Sequence, residues 1–272
     1  MASLAAAILA AAAAAAPAER PGVLLEDLTW VQAERVLKAD TVVVIPLGAE
    51  SKEHGPHLKL KNDFILAEYL KGRVRERASV VIAPTVNYGF YPAFTEYPGS
   101  TSLTLETSRD MLVEICRGLA RFGPRRFYVL NTGVSTVGAL DPAAEILAAD
   151  GILMRYTDLL KAMEPVEKQV SQQVGGTHAD EIETSMILYM SPADVDMSKA
   201  VKDYHPGRGG LTRDPKSDGK VYSPSGVFGD ATLATKEKGR IVTEALVEAI
   251  VREIEDLRKA ALPGLVPTPP LR

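Results

Sequence analysis

The chain is poor in several of the features that mark a special environment. Among its 272 residues there is one cysteine, Cys116, so no internal disulfide can form. Cys116 closes the run Met111-Leu112-Val113-Glu114-Ile115-Cys116, the apolar face of a helix, where a free cysteine serves as a small buried hydrophobe. Basic charge is not in excess: 31 Lys and Arg against 35 Asp and Glu give a net charge of −4, which argues against nucleic acid as a partner. No apolar run reaches the length of a membrane span. Histidine is scarce too, four in all, so each position carries information. A chain of this length with 46% hydrophobic residues suits one domain with a sizeable core.

The two ends differ from the rest. Residues 4–16 are nearly all alanine with Leu and Ile, and Ala16-Pro17-Ala18 then precedes Glu19-Arg20. A short apolar run closed by an A-x-A site predicts a secretory signal peptide over residues 1–18, although its start lacks a basic residue. No cysteine follows for a lipid, so the expectation is a secreted or periplasmic protein without a membrane anchor. Residues 263–272 hold four prolines and are expected to lie loosely on the surface. Residues 19–262 form one domain, with no internal repeat and no linker inside it.

Within that domain strands alternate with helices. Thr29 is an N-cap for a helix over Trp30 to Lys38. Thr41 to Pro46 is a β-branched run that predicts a buried strand, and Ser79 to Ala83, Arg126 to Leu130 and Ile152 to Tyr156 predict three more. Asn62 is expected to cap a helix from Asp63 to about Ala78, and Thr107 one reaching Arg121, where Gly123-Pro124 stops it. Further helices are predicted over Pro142 to Ala149, Glu181 to Met190 and Thr235 to Leu257. Residues 87–101 and 204–224 are long loops. The alternation implies βαβ units and a mostly parallel sheet covered on both faces, a three-layer α/β/α domain.

Two segments carry chemistry. In Pro46-Leu47-Gly48-Ala49-Glu50-Ser51-Lys52-Glu53-His54-Gly55-Pro56-His57, continuing to Asp63, two of the four histidines fall within four residues. They leave the carboxyl end of the first predicted strand, the edge where open parallel sheets bind ligands. Imidazole and carboxylate together suit Zn, Mn or Fe. The bland alternative is a solvated polar loop. The second segment is Gly175-Gly176-Thr177-His178-Ala179-Asp180-Glu181-Ile182-Glu183. Its acids at a helix start could be ligands or a general base, or could simply favour the positive end of the helix dipole; the dipole does not explain His178. His205, in the second long loop, reads as an ordinary exposed residue.

These segments resemble the creatininase family. The resemblance rests on Pro46-Leu47-Gly48, on Glu53-His54-Gly55-Pro56-His57-Leu58 with Asp63, and on Tyr97-Pro98-Gly99-Ser100-Thr101-Ser102-Leu103. It continues through His178-Ala179-Asp180-Glu181-Ile182-Glu183-Thr184-Ser185 and Ser225-Gly226-Val227-Phe228-Gly229-Asp230 to Ala234-Thr235-Lys236-Glu237-Lys238-Gly239. It implies an α/β/α domain, a homo-oligomer, and a metal-dependent site that opens cyclic amides or cleaves related C–N bonds of a small-molecule substrate. It implies that His54 and Asp63 are metal ligands, with the aspartate bridging two ions, and that His178 lies by the reacting bond.

The chain departs from the family pattern twice. The family has a glutamate ligand two residues before the motif histidine; Lys52 stands here, in a stretch one residue longer than usual. Glu50 or Glu53 could fill the role if the loop reroutes. The family also has Asn-Gly-His after the third strand, where this chain reads Asn131-Thr132-Gly133-Val134. Both losses fall on the same metal position. A glutamate with a divalent cation sums to about +1, and so does a lysine: Lys52 either takes the place of the missing ion and balances Asp63, or points to solvent as most lysines do. The leading expectation is a hydrolase with one divalent ion held by His54 and Asp63, with Glu183 or Glu53 as third ligand. His178 would be the acid/base group and Lys52 a fixed cation for an oxyanion. The rival is a catalytically silent binding protein that keeps the pocket. A third reading makes Ser135 or Thr136 a nucleophile with His178 as its base.

Overall fold

The computed structural model describes residues 21–264. The expected signal peptide and most of the proline-rich tail lie outside the described residues. Five strands form the central sheet: β1 (Val23–Leu24), β2 (Val42–Leu47), β3 (Val81–Ile82), β4 (Arg126–Asn131) and β5 (Leu153–Tyr156). Their order is β1-β3-β2-β4-β5, with every pairing parallel. Seven α-helices are described: α1 (Trp30–Val36), α2 (Asn62–Arg77), α3 (Leu105–Ala120), α4 (Val137–Ala149), α5 (Leu159–Val170), α6 (Glu181–Met190) and α7 (Lys236–Lys259).

The strand side chains alternate between two cores. Val42 and Val44 of β2, with Tyr128 and Leu130 of β4, pack on α2 and α7. Val43, Ile45 and Leu47, with Phe127 and Val129, pack on α3 and α4. All six residues of β2 are buried, which explains its unbroken apolar run: with both faces covered there is no polar side to alternate with. The three-layer α/β/α arrangement is the one expected. Cys116 is fully buried in the second core, and no described helix is long and apolar enough to cross a membrane.

Several elements differ from expectation. Asn62 opens α2 from inside the helix instead of capping it, and its side-chain amide reaches Glu183. The cap of α3 is Thr104, whose hydroxyl accepts from the Thr107 backbone N–H. Helix α4 starts at Val137, before Pro142, which sits inside it. Helix α5 and strand β1 were not anticipated. The loop over residues 204–224 contributes strand residues: Leu211–Thr212 pairs in parallel with Val221–Tyr222. Just before and just after it, Lys202–Asp203 pairs antiparallel with Gly229–Asp230.

Candidate active site

β2 ends at Leu47, and the chain turns across the carboxyl edge of the sheet. Gly48 permits the turn, since a Cβ there would stand 2.4 Å from the Asp63 carbonyl oxygen. Thr132, just past β4, ties the parts together: its hydroxyl lies 3.0 Å from the Leu47 carbonyl and 3.1 Å from that of Asp63. These contacts set Asp63, in the first turn of α2, under the histidine loop.

Asp63 is fully buried and has a partner on each oxygen. Oδ1 lies 2.8 Å from His54 Nε2. Oδ2 lies 2.7 Å from Lys52 Nζ, an ion pair without an aligned hydrogen bond. Lys52 is 4% exposed. Its ammonium sits 4.7 Å from the ring centre of Phe94 and 5.6 Å from that of Tyr91, positions in which ring quadrupoles favour a cation. So Lys52 turns inward onto Asp63 and away from solvent. His54 Nδ1 donates to the Lys52 carbonyl at 2.9 Å; because a carbonyl only accepts, that hydrogen bond assigns the Nδ1 hydrogen. Nε2 is thereby left facing Asp63, and Glu183 Oε1 at 3.4 Å.

Glu183 is placed by the start of α6. Asp180 is the N-cap, accepting from the backbone N–H groups of Ile182 and Glu183, so the helix-start reading accounts for this acid. Ala179 has φ 47°, a left-handed conformation that costs a non-glycine residue about 1–3 kcal/mol. The strain aims its N–H at Glu183 Oε2, 2.6 Å away. Asn62 Nδ2 donates to Oε1 at 3.0 Å. His178 is pinned by backbone pairing with Phe228 and tilts against Phe94, ring centres 4.3 Å apart. Its Nε2 lies 2.8 Å from Glu53 Oε1 and its Nδ1 3.6 Å from Glu183 Oε2. The other oxygen of Glu53 accepts from Gly55 N–H at 2.8 Å. Gly226 leaves room for that carboxylate, since a Cβ would stand 2.1 Å from Oε2.

The electrostatics follow from burial and pairing. Burial would raise the Asp63 carboxyl, but the Lys52 ammonium and then His54 hold it below its ordinary value. Burial likewise opposes ionisation of Glu183 and Glu53; His54 dominates in lowering the first, His178 in lowering the second. Burial and Lys52 push His54 down, yet Asp63 and Glu183 outweigh them and lift it to about 9. His57 behaves oppositely. Burial lowers it to about 4; its Nε2 bonds Thr184 Oγ1 at 2.8 Å and its buried Nδ1 has no partner.

The structure thus brings Lys52, Glu53, His54, Asp63, His178 and Glu183 into one cluster. Glu53 faces His178, while Glu50 lies outside, exposed and bonded to Asn87. His205 is exposed beside Asp203. The hydroxyl of Ser135 bonds the Phe90 carbonyl, and that of Thr136 bonds Asn131 and Gly133; both are engaged away from His178, which leaves the nucleophile reading without geometric support. Sequence reasoning missed Asn62, Tyr91 and Phe94 as neighbours of the cluster. Their only signal was the aromatic content of the loop over residues 87–101 and a polar residue beside Asp63.

A cavity of about 600 Å³ opens over Lys52, His178 and Glu183, with Val134 on its wall. His54, His178 and Glu183 each offer one ligating atom, all within 4.8 Å of one another. Imidazole and carboxylate together are donors of catalytic metal sites, so His54 Nε2, with Glu183 Oε1 at 3.4 Å and Asp63 Oδ1 at 2.8 Å from it, suits one ion, and His178, held by Glu53, stands beside these residues. They do not fit a second: Lys52 holds the free oxygen of Asp63, and Val134 has no donor atom.

A buried polar cluster thus lies at the carboxyl edge of the parallel sheet of an α/β/α protein, under an open cavity. A family model described as creatinine amidohydrolase matches residues 26–254, and the chain belongs to the creatininase family. It is 29% identical over 255 residues to creatinine amidohydrolase of Pseudomonas putida, covering 86% of this chain and 96% of that protein. It is 30% identical over 223 residues to a mycofactocin precursor peptide peptidase of Mycobacterium tuberculosis (strain CDC 1551 / Oshkosh), covering 78% and 84%. A solved creatininase described as an Mn form superposes with a TM-score of 0.72 at 28% identity, covering 86% of this chain and 98% of that one. Another solved neighbour is a creatininase mutant of Zn–Zn type.

Proposed function

We propose that the chain hydrolyses a cyclic amide or a related C–N bond and works with one divalent ion, Zn, Mn or Fe, per chain. The convergence of His178, Glu183 and Lys52 at one cavity, with the buried His54 against Glu183, carries this reading. His54 and Glu183 would hold the ion, with Asp63 Oδ1 beside them. When bound it would polarise a carbonyl and acidify a water. Lys52, fixed by Asp63 and two aromatic rings, stabilises negative charge as it develops on the carbonyl oxygen. Glu53 accepts the Nε2 hydrogen of His178 and so leaves Nδ1 as the free nitrogen, which takes a proton from the attacking water and returns it to the leaving nitrogen. The balance is hydroxyl to the carbonyl carbon and hydrogen to the nitrogen.

The test is turnover of five- and six-membered cyclic amides by the purified chain, with metal content measured alongside. His178→Ala should keep the ion and lose at least about 100-fold in rate. A chain that holds the ion but opens none of these rings would favour the silent binding protein instead. We further propose export, which rests on the alanine-rich start and Ala16-Pro17-Ala18.

A further inference from the structure

The cavity is much larger than a small ring needs, and most of its lining is apolar. Charged groups are not limited to Lys52, His178 and Glu183: Glu167 of α5, Asp180, Arg208 and Lys220 line it too. One wall is α5, which presents Leu160 and Met163, backed by Met186 of α6. Phe94 and Phe228 add further apolar lining. Leu160 is 38% exposed, so helix α5 holds a large apolar side chain at the open side of the site. At residue 134, where the resemblance leads one to expect a histidine, Val134 supplies more apolar wall. A volume of about 600 Å³ lies in the range of pockets that enclose drug-sized ligands, roughly 300–1,000 Å³.

From these features we infer that the substrate is an amphiphile: an amide head at Lys52, His178 and Glu183, carrying an extended apolar substituent that lies against the apolar side chains of α5, Phe94 and Phe228. This deepens the reading of the site as an amide hydrolase and rests on it for the identity of the head. The apolar walls recognise the tail by its removal from water, which gives about a three- to four-fold gain in affinity per methylene. A site for a small polar ring alone would show no such dependence.

The experiment uses the intact chain and a series of 2-pyrrolidinones with 5-alkyl substituents from methyl to octyl. Binding is measured by calorimetry and ring opening is measured separately. The expected result is affinity rising by about three-fold or more per methylene until the tail outgrows the cavity. The companion variant is Leu160→Glu with Met163→Glu, which places charge on one wall at two incompletely buried positions; it should flatten the rise while leaving the methyl compound bound as in the parent. No rise in the parent overturns the inference. An equal rise in parent and variant also overturns it, because the tail then lies elsewhere. Binding that follows tail length without ring opening upholds the amphiphile pocket and removes the hydrolase reading.

Discussion

Lys52→Met removes a charge and little volume from a buried ion pair of the site. Lys52 Nζ and Asp63 Oδ2 are 2.7 Å apart, with side chains 6% and 0% exposed. At an effective dielectric constant near 20, two charges at that separation attract by about 6 kcal/mol, an upper figure that the desolvation of both groups reduces. The variant leaves Asp63 with His54 alone, while Glu183 and Glu53 remain nearby, so the loss should approach the 3–5 kcal/mol typical of a buried pair deprived of one partner. That is a large part of an ordinary domain's stability, about 5–15 kcal/mol. Urea denaturation in chelator-treated buffer measures it, with the slope checked for constancy. Adding Asp63→Asn to Lys52→Met should recover much of the loss, because no unpaired carboxylate remains. A loss below about 1 kcal/mol, or a double variant as unstable as the sum of the singles, would refute the argument that Lys52 balances Asp63.

Other outcomes follow from the same geometry. Lys52→Glu combined with Val134→His supplies both missing ligand types and should raise metal content from about one toward two ions per chain; an unchanged content would show that the longer loop misplaces the glutamate. His57 is buried neutral, with a folded value of about 4 against an ordinary 6.5. Because that value is depressed, its contribution is fully present above pH ~6.5 and is lost as pH falls toward ~4. His57→Gln should therefore flatten this acid limb of a stability–pH curve by roughly 3 kcal/mol, and a limb of unchanged depth would exclude His57 as its source. Intact mass of protein recovered from its host should show a chain beginning at Glu19, and a full-length product would contradict export.

Much of this arrangement is legible in the sequence because local rules and the fold agree. The Val42–Ile45 run is apolar without alternation because the strand is covered on both faces. The motif histidines mark the sheet edge where the cluster lies, and the charge on Lys52 anticipates a partner such as Asp63. What stays illegible depends on distant contacts or on broken patterns. Pro165 interrupts the apolar period of α5, and Pro142 suggests a helix start although α4 has already begun. Thr107 reads as a cap because its residue type suits one, but it stands inside α3, where its backbone N–H is capped by Thr104. Glu53 meets His178 across 125 residues of chain, and nothing local says that this acid faces the acid/base histidine instead of the ion. The cavity wall built by α5 is invisible for the same reason that α5 is.

Metal content per chain tests the central claim most directly. Elemental analysis of the purified chain, loaded with Zn or Mn and desalted, should give about one tightly held ion. His54→Ala and Glu183→Ala should each lose it, and His178→Ala should retain it. An ion-free chain, or one that holds two ions with Lys52 in place, would contradict the account.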